Sequence, residues 1–107
     1  MTHEQFKTVF NELINKCDAI LNVKSAEYST DSDKLHNFYT AAALTGENPV
    51  KALGGMMLKH TVSVYDMMRD TDNGKRFDLA KWEEKIIDSI NYLILLRAVL
   101  VDMGDAG

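Results

Sequence analysis

Apolar residues recur every three or four positions along most of the chain, which is the spacing of one face of an α-helix. The first run predicts a helix over about residues 3–24. Its apolar positions are Phe6, Val9, Phe10, Leu13, Ile14, Cys17, Ile20 and Leu21. Similar runs predict helices over about 32–45, 49–69 and 78–103, and no strand-like alternation occurs. We therefore expect an all-α, four-helix bundle-like fold in a single domain, 1–107.

Turn and capping residues separate these segments. The polar run 29–33 offers N-cap side chains for the second helix, and Gly46 suits its C-terminal end. Asn48 and Pro49 together are typical of a helix start, and Asp78 is a suitable N-cap for the last helix. The second helix is expected to turn four apolar side chains inward, namely Leu35, Phe38, Ala42 and Leu44.

The third predicted helix contains two adjacent glycines, Gly54 and Gly55. Each costs about 1 kcal/mol relative to alanine in a helix interior. The pair indicates either a close crossing of two helices or a close approach of a ligand, and we favour the crossing.

The amino-acid composition limits the classes of function that we expect of this protein. Twelve basic against sixteen acidic residues give a net charge of −4, and 46% of residues are hydrophobic, which is typical of a globular protein. The acidity argues against direct DNA binding but is compatible with a nucleotide held through a metal ion. A lone cysteine predicts a reducing compartment, the cytoplasm. The polar start and the interrupted apolar stretch 86–101 predict neither a signal peptide nor a membrane span.

The last helix carries the most informative polar residues. At 100° per residue, Glu84, Asp88 and Asn91 fall within about 60° of one another. Two carboxylates one turn apart suit a hard cation such as Mg²⁺. The alternative is the solvated side of an amphipathic helix, which the neighbouring Lys81 and Lys85 favour.

Three other segments are weaker candidates. Glu27 could supply a third carboxylate, although a glutamate at a helix end is usually just exposed. His36 and Asn37 precede the ring of Phe38, a combination able to hydrogen-bond and stack on a nucleobase, and the alternative is a partly buried histidine. Two further basic side chains, Lys59 and His60, could contact phosphate or could simply be solvated.

Together these segments resemble a known enzyme superfamily. The pattern Glu83-Glu84-x-x-x-Asp88-x-x-Asn91-Tyr92 resembles the last-helix motif of the all-alpha nucleoside triphosphate pyrophosphohydrolases, which include MazG-like enzymes and dimeric dUTPases. The order of Glu27-Tyr28, His36-Asn37-Phe38, Lys59-His60 with Asp66, and the last helix is similar to small MazG-like phage proteins. The resemblance covers about residues 15–101.

The resemblance implies an oligomeric helical bundle that cleaves a nucleotide between its α and β phosphates with Mg²⁺, releasing pyrophosphate. It implies Glu84 and Asp88 as catalytic metal ligands and Glu27 as a further ligand. Base or phosphate contacts would come from His36, Asn37, Lys59, His60 and Asn91.

The sequence differs from the superfamily pattern at two places, and these differences favour a second function. The superfamily's Glu-Glu-x-x-Glu pattern on a preceding helix is missing, and Lys85 stands three positions before Asp88 where an acid is usual. The alternative is a noncatalytic helical module that binds a nucleotide or a protein partner, such as a phage protein that sequesters a signalling nucleotide or counters host defence.

Long helices in so short a chain also predict a homo-oligomer, a dimer or a tetramer. The last helix is apolar over most of its circumference near residues 93–101, leaving surface that one subunit is not expected to cover.

Overall fold

Four α-helices make up most of the chain, as the apolar periodicity predicts. The computed structural model describes residues 1–23 and 33–104. Its helices are α1 (His3–Asp18), α2 (His36–Thr45), α3 (Pro49–Asp72) and α4 (Leu79–Asp102), and a π-helical turn, Ala19–Val23, continues α1. No β-strand occurs in the two described ranges, so the all-α prediction is confirmed there.

The predicted capping residues stand where the helices begin and end. The Asn48 side-chain oxygen accepts from the Lys51 amide at 2.9 Å, and that of Asp78 accepts from the Lys81 amide at 2.9 Å. Both satisfy amides that have no partner inside the helix. Gly46 ends α2 with φ 71°, a left-handed conformation that glycine adopts without steric cost.

The start of α2 differs from the prediction. The helix begins at His36 rather than near residue 32, and its N-cap, Leu35, makes no side-chain capping bond. Instead, the Asp33 carboxylate accepts from the Leu35 amide at 2.9 Å, which holds a turn before the helix. Most of the predicted capping run lies outside the described residues. Leu44 was expected to turn inward, but it is 82% exposed because it lies on the outer side of α2.

The core lies where α2 and α4 pack on α3. Phe38, Leu53 and Val99 form its buried cluster, one residue from each helix. Burying one such side chain stabilises the fold by about 1.5–3 kcal/mol. The other buried apolar residues in the described ranges are Cys17, Ala42, Ala52, Met67 and Ile87. Few side chains in the described ranges are therefore fully buried.

The glycine pair of α3 does not lie at a helix crossing within the chain. A Cβ added at Gly54 or at Gly55 would meet nothing within 4 Å, and both residues are exposed. A crossing of two helices at this pair, the favoured prediction, is therefore not found among the described residues. The helix carries the cost of two glycines without an internal contact that requires them.

Only the C-terminal end of α1 is well covered. Thr2 and Gln5 form a reciprocal capping box that fixes the start of the helix. Cys17 is buried where α1 packs on α4. Farther toward the N-terminus, Phe6 and Phe10 are 62% and 53% exposed. The radius of gyration, 16.1 Å, accordingly exceeds the roughly 13 Å of a compact domain of this length.

None of the helices in the described ranges is long and apolar enough to cross a membrane. This agrees with the prediction that the polar residues within 86–101 prevent a membrane span.

A hydrogen bond joins α2 to the end of α4. The Tyr39 hydroxyl donates to the Asp102 carboxylate, which raises the pKa of Tyr39 from 10.0 to about 12. The main cause is that the hydrogen bond is lost when the tyrosine ionises. Because the folded-state pKa is the higher one, the contact stabilises the protein below pH 10 and this contribution is lost as the pH rises toward 12.

We therefore predict that an alkaline titration followed by tyrosine absorbance shows one group ionising near pH 12. Tyr39→Phe should remove that group, and Asp102→Asn should move its ionisation to lower pH. An unchanged titration curve in Tyr39→Phe would contradict the assignment.

Candidate ligand-binding site

A cavity of about 240 Å³ lies where the π-helical turn, α2 and α4 meet. Four residues of α4 line it at positions 88, 91, 92 and 95, which fall on one side of a helix. Among the described residues, those that line it are Ile20, Leu21, Lys34, Asn37, Phe38, Met56, Asp88, Asn91, Tyr92 and Leu95. Three of the predicted site residues, Asn37, Asp88 and Asn91, therefore share one cavity.

Asn91 is the one buried polar residue in the described part of the chain, with 6% of its surface exposed. Its Nδ2 donates to the Cys17 carbonyl across the α1–α4 contact at 3.4 Å, a long hydrogen bond. Its Oδ1 is buried and has no hydrogen-bond partner among residues 1–23 and 33–104. An unsatisfied buried acceptor costs about 1–3 kcal/mol. A ligand that donates a hydrogen bond to this oxygen would remove that cost.

Asp88 faces His60 of α3. The Asp88 Oδ2 and the His60 Nδ1 are 3.4 Å apart, and both side chains are partly shielded from water. The sequence marked each residue as a candidate but gave no sign that they meet, because the contact joins different helices. The pair fixes the position of the carboxylate at the cavity wall.

Aromatic rings form another part of the wall. The ring of Tyr92 lies edge-on to the ring of Phe38, with 6.5 Å between the ring centroids. The Tyr92 ring also lies next to the His60 ring, at a centroid distance of 5.0 Å. Burial, and secondarily the negative charge of Asp88, raise the pKa of the Tyr92 hydroxyl. The tyrosine therefore stays neutral at physiological pH and can serve as a hydrogen-bond donor.

The N-terminal end of α2 contributes polar groups to the same cavity. Asn37 lies in the first turn of α2, and Lys34 lies just before that helix. The Lys34 ammonium donates to the Leu21 carbonyl of the π-helical turn at 3.3 Å, which ties the two segments together. Lys34 was not among the site residues predicted from the sequence. A lysine at the entrance of a predicted helix carries no pattern that distinguishes it from a solvated one.

Glu84 does not share this cavity. It is exposed and lines a separate, open depression with Phe77, Asp78 and Lys81. The preceding Glu83 turns to α1, where its carboxylate accepts from Lys16 at 2.7 Å. The predicted trio of Glu84, Asp88 and Asn91 is therefore divided between two surfaces, although the three share one stripe of α4.

The remaining predicted site residues lie apart from the cavity or outside the described ranges. Lys59 is exposed on α3, and His36 is exposed with its ring Nε2 3.4 Å from the Thr40 hydroxyl. His60 touches the cavity only through Asp88 and Tyr92. Glu27 lies outside the described residues.

The described residues alone do not assemble a ligand set for Mg²⁺. Residues 1–23 and 33–104 contain no group of three or more His, Cys, Asp or Glu side chains able to hold a metal ion. Asp88 and Glu84 line different depressions, and the third predicted carboxylate, Glu27, is not among the described residues. Mg²⁺ coordination by these three residues stays a prediction.

Cys17 is not a nucleophile candidate in this arrangement. Burial raises the pKa of its thiol, so the reactive thiolate is disfavoured. This agrees with its predicted place on the apolar face of the first helix.

Comparison with known proteins identifies no relative from which a function could be inferred. The chain matches no protein-family model, no curated protein and no solved structure. Its function therefore has to be argued from the cavity itself.

We predict that Asn91→Leu raises the stability of the ligand-free protein by about 1 kcal/mol, because it removes an unsatisfied buried acceptor and conserves volume. Urea unfolding followed by circular dichroism measures the change. Asn11→Leu, on the exposed surface of α1, is the matched control for the difference in helix propensity. A loss of stability in Asn91→Leu beyond that control would show that the amide is structural.

Proposed function

We propose that the protein binds a nucleotide, with the base in the cavity between the π-helical turn, α2 and α4. The observation that carries this proposal is that Asn91, whose buried Oδ1 has no hydrogen-bond partner among the described residues, lines a cavity that also presents aromatic rings. Proteins rarely leave such an acceptor unpaired without a functional reason. A noncatalytic nucleotide-binding module is therefore the principal candidate.

The chemistry of the cavity suits a flat, polar ring. Asn91 and Asn37 offer amide groups, which carry a donor and an acceptor side by side as the edge of a nucleobase does. The Asp88 carboxylate accepts hydrogen bonds from ring or exocyclic N–H groups. Stacking of a base on the ring of Phe38 or Tyr92 contributes about 1–3 kcal/mol.

Size and charge further limit the ligand. A cavity of 240 Å³ lies below the roughly 300–1,000 Å³ typical of ligand sites, so it suits a base or nucleoside rather than a large cofactor. Phosphates attached to that base would extend beyond the cavity. Among the described residues that line the cavity, Lys34 is the one cation.

Magnesium-dependent hydrolysis is the second candidate. The observation that favours it is that Asp88, one of the two predicted catalytic carboxylates, lines the cavity beside a buried amide and is positioned by His60. The resemblance of the last helix to the pyrophosphohydrolase motif adds Glu84 as the other. On this hypothesis the bound base would orient the phosphates toward α4.

We predict saturable binding of at least one nucleoside phosphate by isothermal titration calorimetry. The titrations would compare purine and pyrimidine mono- and triphosphates, each with and without Mg²⁺. Asn91→Leu should weaken binding roughly 5- to 150-fold, the equivalent of about 1–3 kcal/mol for a good amide–base pair. Glu12→Gln, on the exposed surface of α1, is the control and should bind as the native protein does.

Pyrophosphate release under the same conditions separates the two candidates. Binding without release, unaffected by Glu84→Gln, supports the noncatalytic module. Release with Mg²⁺ that disappears in both Asp88→Asn and Glu84→Gln supports the hydrolase. If no nucleotide binds saturably, or if Asn91→Leu binds as well as the native protein, both candidates fail.

A further inference from the structure

A second cavity, of about 420 Å³, lies where α3 ends and α4 begins. Among the described residues, those that line it are Thr71, Gly74, Lys75, Arg76, Phe77 and Trp82. We call it the loop cavity. Its volume falls within the roughly 300–1,000 Å³ that is typical of ligand sites. It shares no described lining residue with the cavity of the proposed nucleotide site.

The backbone that leads into the loop cavity is fixed by the way α3 ends. Gly74 has a φ of 91°, in the left-handed region that glycine adopts without steric cost. Its amide donates to the Thr71 carbonyl at 3.0 Å, and the Lys75 amide donates to the Asp70 carbonyl at 2.9 Å. These two bonds form a Schellman motif, a common way to end a helix. They set the point at which the chain leaves α3, just before Lys75 and Arg76.

Two aromatic rings form another part of the wall of the loop cavity. Phe77 precedes Asp78, the N-cap of α4, and Trp82 is the fourth residue of that helix. The two ring centroids are 5.9 Å apart, and the rings meet edge to face. A contact between these two positions is a hydrophobic staple, which sets the angle at which the chain enters the helix. Aliphatic side chains would serve equally well as a staple, whereas two half-buried rings also offer flat surfaces to a ligand.

The cations of the loop cavity are available to an anion. Lys75 and Arg76 line the cavity, and no acid is among its described lining residues. The Lys75 ammonium lies 5.3 Å from the centroid of the Phe77 ring, close enough for a cation–π contact. Neither cation forms an ion pair with an acid in residues 1–23 and 33–104. Asp78, a neighbouring acid in the sequence, uses its side chain to cap α4.

We propose that the loop cavity binds a small aromatic phosphate, that is, one phosphate group joined to one flat ring. A phosphate monoester carries a charge of about −1.5 to −2 at neutral pH, which two cations balance. The guanidinium of Arg76 has the fork of N–H donors that binds two phosphate oxygens at once, and Lys75 adds a second positive charge. The ring of the ligand packs on Trp82 and Phe77. This proposal does not rest on the nucleotide site.

The size of the basic surface limits the ligand to a small molecule. A nucleic-acid strand is held by a basic groove that follows several successive phosphates and by aromatic side chains along that groove. The loop cavity has two lining cations in its described part, and the chain as a whole has a net charge of −4. A single phosphate with a single ring matches this arrangement, and a strand of linked phosphates does not.

Tryptophan fluorescence tests the proposal directly, because Trp82 is the single tryptophan of the chain and lines the loop cavity. Titration with phenyl phosphate should change this fluorescence saturably. Inorganic phosphate and phenol are the two halves of the probe, and each should bind at least roughly 5-fold more weakly than phenyl phosphate, because each lacks one of the two contacts. No saturable change with phenyl phosphate, or equally tight binding of inorganic phosphate, would overturn the proposal.

Three variants test the assigned residues. Arg76→Gln should weaken phenyl phosphate binding roughly 10-fold or more, because it removes charged hydrogen bonds to the phosphate. Arg97→Gln makes the same change in net charge at an exposed position about 22 Å farther along α4 than Trp82, and it should bind as the native protein does. Phe77→Leu keeps an apolar residue in the staple but removes the ring, so its affinity should fall toward that for inorganic phosphate.

Far-ultraviolet circular dichroism of each variant checks that the helices persist. Equal affinities in Arg76→Gln and Arg97→Gln would indicate a general effect of charge and would contradict a phosphate contact in the loop cavity. Native affinity in Phe77→Leu would contradict the ring contact. Either result overturns the proposal, and neither bears on nucleotide binding at Asn91.

Discussion

The packing of Phe38, Leu53 and Val99 against one another is the constraint on which the rest of the structure depends. These residues fix α2 and α4 on α3, and the described part of the chain has few other fully buried side chains. Phe38 belongs to this cluster and also lines the ligand cavity. The same contact that holds the helices together therefore also positions the Phe38 ring at the wall of the candidate site.

Asn91, in the middle of α4, departs from the apolar packing around it. The apolar residues around Asn91 would pack at lower cost against a leucine, and the amide keeps only one long bond to α1. A neighbouring polar contact, between Asp88 and His60, is likewise unnecessary for an apolar interface between α3 and α4. Local departures from the packing rules that meet in one cavity are what a binding site is expected to show. Their convergence carries more weight than either residue alone.

The sequence predicted those features that depend on neighbouring residues. Helix existence, the Asn48 cap and the Gly46 terminus all follow from local periodicity and backbone preference. The sequence was less informative about features of the structure that depend on contacts between helices. The shared stripe of α4 correctly grouped Asp88 with Asn91, but it also included Glu84, since angular position on a helix does not reveal which side another helix covers. The contact of Asp88 with α3 and the wall residue Lys34 have no sequence signature for the same reason.

The acidic balance of the chain and the nature of the cavity together determine how a nucleotide would be held. A net charge of −4 opposes a polyanion at long range, and Lys34 is one cation against the nearby Asp88. Affinity must therefore come mainly from the base, through burial, stacking and the Asn91 amide, and not from phosphate charge. Binding of this kind responds weakly to salt, because few counterions are released when the complex forms. A site of this kind would discriminate among nucleotides by the identity of the base and would tolerate phosphate chains of different length.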